Sequence, residues 1–198
     1  MYNLIGNCCA ASFIMVDNDK LNQPLLNPFS YALIDFNSMK YLIENYDNLN
    51  LHNYKLIKED GWKFSIIIEN KIKVFYLHYV FNPKVEYYHN KINHNIESNK
   101  IWEYIVKKYE ERLTRMEKEN ITPIFVLGSA GNDRNHYSEQ QVLELLNMKN
   151  DFKIIIAQKE DIKFNCTENR EYIKIPNTIL TDGTPLASYI YKNSKILK

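Results

Sequence analysis

With 198 residues, 45% of them hydrophobic and 25% charged, the chain is long enough to bury one substantial core and too short for two full-sized domains. A net charge of +1 and an isoelectric point near 7.7 give it neither a basic field nor an acidic tail, which excludes nucleic acid as an expected partner. No stretch approaches the roughly 18 apolar residues of a membrane span, and the N-terminus lacks the basic region of a signal peptide, so a cytoplasmic protein without a membrane span is expected.

Residues 2–5 read as a short buried strand and 8–16 as a helix with Asn7 as its cap. The stretch "YNLIGNCCAASFIM" therefore sets two adjacent cysteines, Cys8 and Cys9, in the first turn of a helix. In "NSMKYLIENYD" (37–47), Met39, Leu42, Ile43 and Tyr46 stand at helical spacing, with Asn37 or Ser38 positioned to cap. Segments 63–69 and 71–81 are rich in β-branched and aromatic residues and meet at a tight turn around Glu69, Asn70 and Lys71, which predicts a hairpin. Segment 82–98 has no clean period and reads as a surface loop. From Ser98 onward, Ile101, Ile105, Tyr109 and Leu113 recur every four residues against a face of Lys, Glu and Arg, predicting a long amphipathic helix. The last third changes rhythm: "TPIFVLGSAG" and "DFKIIIAQ" are continuous apolar strands, separated by a helical period with a capping box at Ser138. Apolar strands alternating with a helix of ~10 residues indicate βαβ units with parallel strands buried on both faces. The expected fold is a single α/β domain over 1–198, with a mixed, mostly parallel sheet flanked by helices and a β-hairpin near 63–81.

Three cysteines, Cys8, Cys9 and Cys166, are an odd number in a chain too large to need staples, so free thiols are expected and the "NCT" sequon at Asn165 is read as chance. In open α/β sheets, ligands bind at the carboxyl ends of the strands. That rule selects "GNCC", the tail of "VFYLHYVF" and "GSAGNDRNHYS", which together hold the two thiols, His78, and the cluster Ser129, Asn132, Asp133, Arg134 and His136. A thiolate in the first turn of a helix is stabilised by unpaired backbone amides and the helix dipole, and a nearby imidazole makes it a nucleophile with its own acid/base partner. The competing reading is packing: cysteine is often buried, and "CCAAS" suits close contact with the first strand. Neighbours on a helix point roughly 100° apart, so at most one of the two thiols faces a cleft. His78 has the same two readings, as a base or as a satisfied strand histidine. His52, His89 and His94 lack partners at metal-ligand spacing, and "GSAGNDRNH" lacks both the Walker lysine and the spacing of the dinucleotide fingerprint, so no metal and no cofactor are assigned.

"IGNCCAAS", then "NPFSYALIDFNSMKYLI" about twenty residues on, a histidine in an aromatic strand, a helix with "KKYEERLTRM" and finally "PIFVLGS" before an acidic helix form an ordered series. This series resembles a bacterial family of unknown function described as papain-like cysteine peptidases, and a related family associated with exopolysaccharide biosynthesis. The resemblance spans residues 2–158 through short motifs. It implies Cys8 as nucleophile through Asn7-Cys8, or Cys9 if Gly6 anchors the alignment, with His78 as base. Ser30-Tyr31 replaces an Asp-Trp pair of those families and Tyr79 replaces an Asp, leaving Asp133, Asp35 and Asn82 as alternatives for the orienting group. The function so implied is a thiol-dependent hydrolase or acyltransferase acting on a small-molecule or glycan-related substrate, with helix-start amides and Asn7 stabilising the oxyanion. The second reading is a non-catalytic or sugar-nucleotide-binding module of polysaccharide assembly, with Ser129, Asn132, Arg134 and His136 in its binding loop. Neither reading carries a signal for oligomeric state.

Overall fold

Strands β1 (Asn3–Gly6), β6 (Pro123–Gly128), β7 (Lys153–Gln158) and β8 (Arg170–Lys174) form a wholly parallel sheet in the order β1-β6-β7-β8. The chain is represented by a computed structural model that describes residues 3–7, 11, 12, 14, 27–30, 32–59, 64–76, 98–128, 136–179 and 183–198. The two middle strands are apolar over Pro123–Gly128 and Ile154–Ala157 because both of their faces are covered. Alternate side chains go to opposite sides: Phe125, Leu127, Ile154 and Ile156 join one core cluster, and Val126, Ile155 and Ala157 join another.

Helices cover both faces. On the first lie α1 (Phe36–Asn45), α2 (Ser98–Glu119) and α3 (Glu139–Leu146), which bury Met39, Leu42 and Ile43, then Ile105, Tyr109 and Leu113, then Val142, Leu145 and Leu146. On the second lie α4 (Gly183–Asn193), with Leu186 and Ile190, and the helical residues Ala11, Ser12 and Ile14. Within α1 and α3 the buried set follows the i, i+3, i+4 spacing of an amphipathic helix, and in α2 it recurs every four residues.

A second sheet, antiparallel and ordered β2-β5-β4-β3, is built from β2 (Ala32–Ile34), β3 (Tyr54–Lys58), β4 (Phe64–Ile68) and β5 (Ile72–Tyr76). Its buried residues Ile34, Phe64, Ile66, Ile72 and Val74 belong to the first core cluster, so one core serves both sheets. The seam lies at β1. Asn27 Nδ2 donates to Leu4 O at 2.7 Å, and Ile34 N donates to Asn7 O at 3.3 Å, so the 27–34 segment runs alongside β1 in the same direction. The α/β domain read from the sequence is the observed one, its strands divided between a parallel sheet flanked by helices and an antiparallel sheet, and the hairpin is β4–β5. Its turn holds Glu69 and Asn70 at φ 51° and 56°, the left-handed region that costs a residue bearing a Cβ about 1–2 kcal/mol. The cap of α1 differs from expectation: Asp35, not Asn37 or Ser38, is the N-cap, and Ser38 N donates to its Oδ1 at 3.0 Å. Among the described residues, no helix is long and apolar enough to cross a membrane.

The antiparallel sheet is tied to α2 beside Tyr54, whose ring lies 4.5 Å from that of Tyr109. Here His52 sits between two helix carboxylates, with Nδ1 3.1 Å from Glu110 Oε2 and Nε2 3.1 Å from Glu117 Oε1. Only the imidazolium can donate from both nitrogens. The bond to Glu117 and the charges of both carboxylates hold the pKa of His52 above its ordinary 6.5. A raised folded-state pKa gives stability that is complete below the unfolded value and is lost as pH rises through the folded one. The urea midpoint of the wild type should therefore exceed that of His52→Ala by more at about pH 5.5 than at about pH 8.5; a difference that does not change with pH would contradict the clamp.

Candidate functional site

The parallel strands end at one edge, and buried carboxamides hold that edge together. As β1 leaves the sheet, Asn7 is completely buried, and its Oδ1 accepts from Gly128 N, the last amide of β6, at 2.8 Å. In the β1–β6 register Gly6 is paired with Val126, so the side chain supplies a rung that the departing β1 backbone no longer offers. Asn7 O meanwhile accepts from Ile34 N. One residue thus binds β1 to a strand on either side.

Gln158, the last residue of β7, does the same on the other side of β6. Its Oε1 accepts from Tyr137 N at 3.0 Å, and its Nε2 donates to Tyr137 O at 3.0 Å. Tyr137 is itself buried, its hydroxyl donates to Ile34 O at 3.5 Å, and its ring meets Phe36 edge-on at 5.5 Å. The next residue, Ser138, caps α3 through the predicted capping box with Gln141.

His136 precedes this anchored tyrosine and is about half exposed. Its Nε2 lies 3.5 Å from Glu160 Oε1, two residues beyond Gln158. The other carboxylate oxygen, Glu160 Oε2, is buried and accepts no bond from the described residues. The backbone of Glu160 is fixed by Tyr172 Oη, which donates to its carbonyl at 2.7 Å. Burial, then the charges of Glu160, Asp161 and Glu139, push that hydroxyl up to about 12, so it stays a donor at neutral pH.

Of the residues picked out from sequence, Asn7 and His136 lie at this edge, as does Asp35. Asp35 is committed to its helix: Oδ1 caps Ser38 N, and Oδ2 accepts from Ser38 Oγ at 2.9 Å. Cys8, Cys9, His78, Asn82, Ser129, Asn132, Asp133 and Arg134 lie outside the described residues. The direction of β5 bears on the chemistry. It pairs antiparallel with β2, Ala32 opposite Tyr76, and Tyr76 Oη donates to Pro28 O, so the described strand runs from the level of Asn7 back toward the start of β1. Cys166 is a free, exposed thiol. Among the described residues, no three His, Cys, Asp or Glu side chains are grouped to hold a metal.

Sequence reasoning missed Tyr137, Gln158 and Glu160. A signal was present: a glutamine ends the otherwise apolar "IIIAQ", where a strand covered on both faces has no use for a polar side chain unless it meets a partner. Comparison of the chain with protein-family models, curated proteins and solved structures finds no match.

Replacing Asn7 by Ala leaves the buried Gly128 amide without its acceptor, a loss of about 1–3 kcal/mol. It should be read as a lower urea midpoint at unchanged m-value. An unaltered midpoint would show that the rung contributes nothing.

Proposed function

We propose that the chain is a thiol-dependent acyl-transfer enzyme, a hydrolase or acyltransferase, whose nucleophile is Cys8 or Cys9 and whose base is His136 oriented by Glu160. The carrying observation is the gathering of strand ends: the Asn7 and Gln158 carboxamides bring the ends of β1, β6 and β7 to one edge. Cys8 follows Asn7 in the chain, and the His136–Glu160 pair follows β6 and β7. The resemblance assigns the base to His78, which lies outside the described residues; His136 is proposed for that role because it stands at this edge beside Glu160.

Glu160 at Nε2 holds the imidazole so that Nδ1 can exchange a proton with the thiol. The thiolate adds to the acyl carbonyl, forming a C–S bond. The tetrahedral oxyanion takes hydrogen bonds from backbone amides of the helix start that the sequence predicts after Asn7, and the leaving group departs with the proton that His136 had accepted. Water or an acceptor hydroxyl then attacks the thioester, with His136 again the base, and the thiol is restored. A reducing, cytoplasmic setting suits such a thiol. A glycan-related or other small acyl substrate is the class proposed.

The test is p-nitrophenyl acetate as acyl donor. Wild type should release nitrophenol and carry a single acetyl group on the peptide containing Cys8 and Cys9. Cys8→Ala or Cys9→Ala should abolish both signals, and His136→Ala should slow release by about 10²–10⁴-fold. Release that persists unchanged in both cysteine variants would overturn the proposal.

A further inference from the structure

Resting on the acyl-transfer reading, we infer that Gln158 is a positioning residue, which fixes where His136 stands by clamping the backbone of the residue after it. Three features carry this. The clamp is two-sided: both the N–H and the C=O of Tyr137 are taken by one carboxamide, at 3.0 Å each, in a site sealed from solvent. It is reinforced by the side chain, since the Tyr137 hydroxyl reaches Ile34 O and its ring meets Phe36, so the residue is held from β7 and from the β2–α1 junction together. The clamping residue also lies two positions before Glu160, so one stretch of chain sets both His136 and its carboxylate.

A buried side chain that only filled space here would be apolar, because a carboxamide without partners is costly to bury and one with both partners constrains the backbone it grips. A shift of about 1 Å in a general base can cost about 10²-fold in rate, so a rigid clamp next to the imidazole affects turnover without touching the substrate. The ionisable groups on the elements that meet here are His136 before α3, Glu139 and Glu144 on α3, Lys153 on β7, Lys159, Glu160 and Asp161 after it, and Arg170, Glu171, Tyr172 and Lys174 on β8, with Lys174 Nζ bound to Asp161 Oδ2 at 2.8 Å.

Two substitutions separate positioning from general stability. Gln158→Leu removes both bonds. Gln158→Glu keeps both only while protonated, when its O–H can donate to Tyr137 O and its C=O can accept from Tyr137 N. In Gln158→Leu, the Tyr137 amide should exchange with solvent at least about tenfold faster while the interior amides of α3 keep their protection. Turnover of p-nitrophenyl acetate should fall about tenfold or more in kcat with KM within about twofold. In Gln158→Glu, turnover relative to wild type at each pH should recover at about pH 5.5 and fall by about pH 8 as the buried carboxyl ionises. Unchanged protection of Tyr137 in Gln158→Leu, or a Gln158→Glu ratio that does not vary with pH, would overturn the inference. Should Gln158→Leu fail to fold, the pH-dependent ratio decides. Failure of the acyl-transfer reading shows separately, as wild-type turnover independent of both cysteines, and the clamp then stands or falls on amide exchange.

Discussion

A parallel sheet has an unfinished edge: its strands leave at different heights, and the last backbone groups of each lose the partners that the ladder gave them. In this protein that deficit is met by side-chain amides at strand ends. Asn7 replaces a missing rung for Gly128, and Gln158 catches the chain as it returns after β6. A carboxamide suits the task because it offers a donor and an acceptor in one plane with no charge to desolvate. Everything proposed for the site depends on this edge being held, since these bonds join the chain at the ends of β1, β6 and β7.

The same ties explain why the second sheet belongs to the site's support. Asn7 O accepts from Ile34 N, and Ile34 O accepts from Tyr137 Oη, so β2 is bonded to both of the elements that carry site residues. Upstream, Asn27 grips Asn3 Oδ1 and Leu4 O while its own Oδ1 accepts from Phe29 N and Ser30 Oγ. A buried polar network that is satisfied this fully specifies one arrangement of the β1–β2 seam. The antiparallel sheet beyond β2 then packs its apolar face onto the common core and under α2, where the His52 clamp closes the outer end.

Legibility from sequence followed the strength of the local pattern. The long helix, the α3 capping box, the hairpin turn and the apolar strands β6 and β7 each carry a period or a run that one physical cause explains, and each was readable. Strand β3 was not, because "YKLIK" lies on an edge with only part of its surface buried and shows no clean alternation. Strand β8 begins with Arg170 and Glu171, charges that argue against a covered strand until their partners are known. Arg170 donates to the carbonyls of Met148 and Asn150, and Glu171 accepts from Ser194 Oγ and Lys195 N. Such long-range pairing is invisible locally. The candidate site divides in the same way. Its location at a strand-end edge follows from topology, and Asn7 and His136 are legible for that reason, whereas Gln158 depends on Tyr137, 21 residues away in the chain, and Glu160 on His136. The helix cap shows a smaller version of this: Asp35, Asn37 and Ser38 are all competent caps, and only the exit of β2 decides among them.

The claim that this edge carries a reactive thiol is tested most directly by the pH dependence of carboxymethylation by iodoacetamide, read separately at Cys8 and Cys9 by peptide mass spectrometry. The helix start expected from the sequence at Cys8 and Cys9 predicts that one thiol reacts much faster than the other, with an apparent pKa clearly below the free value of about 8.5, and that His136→Ala moves that pKa upward. Equal, slow labelling of both cysteines, unchanged in His136→Ala, would contradict the account.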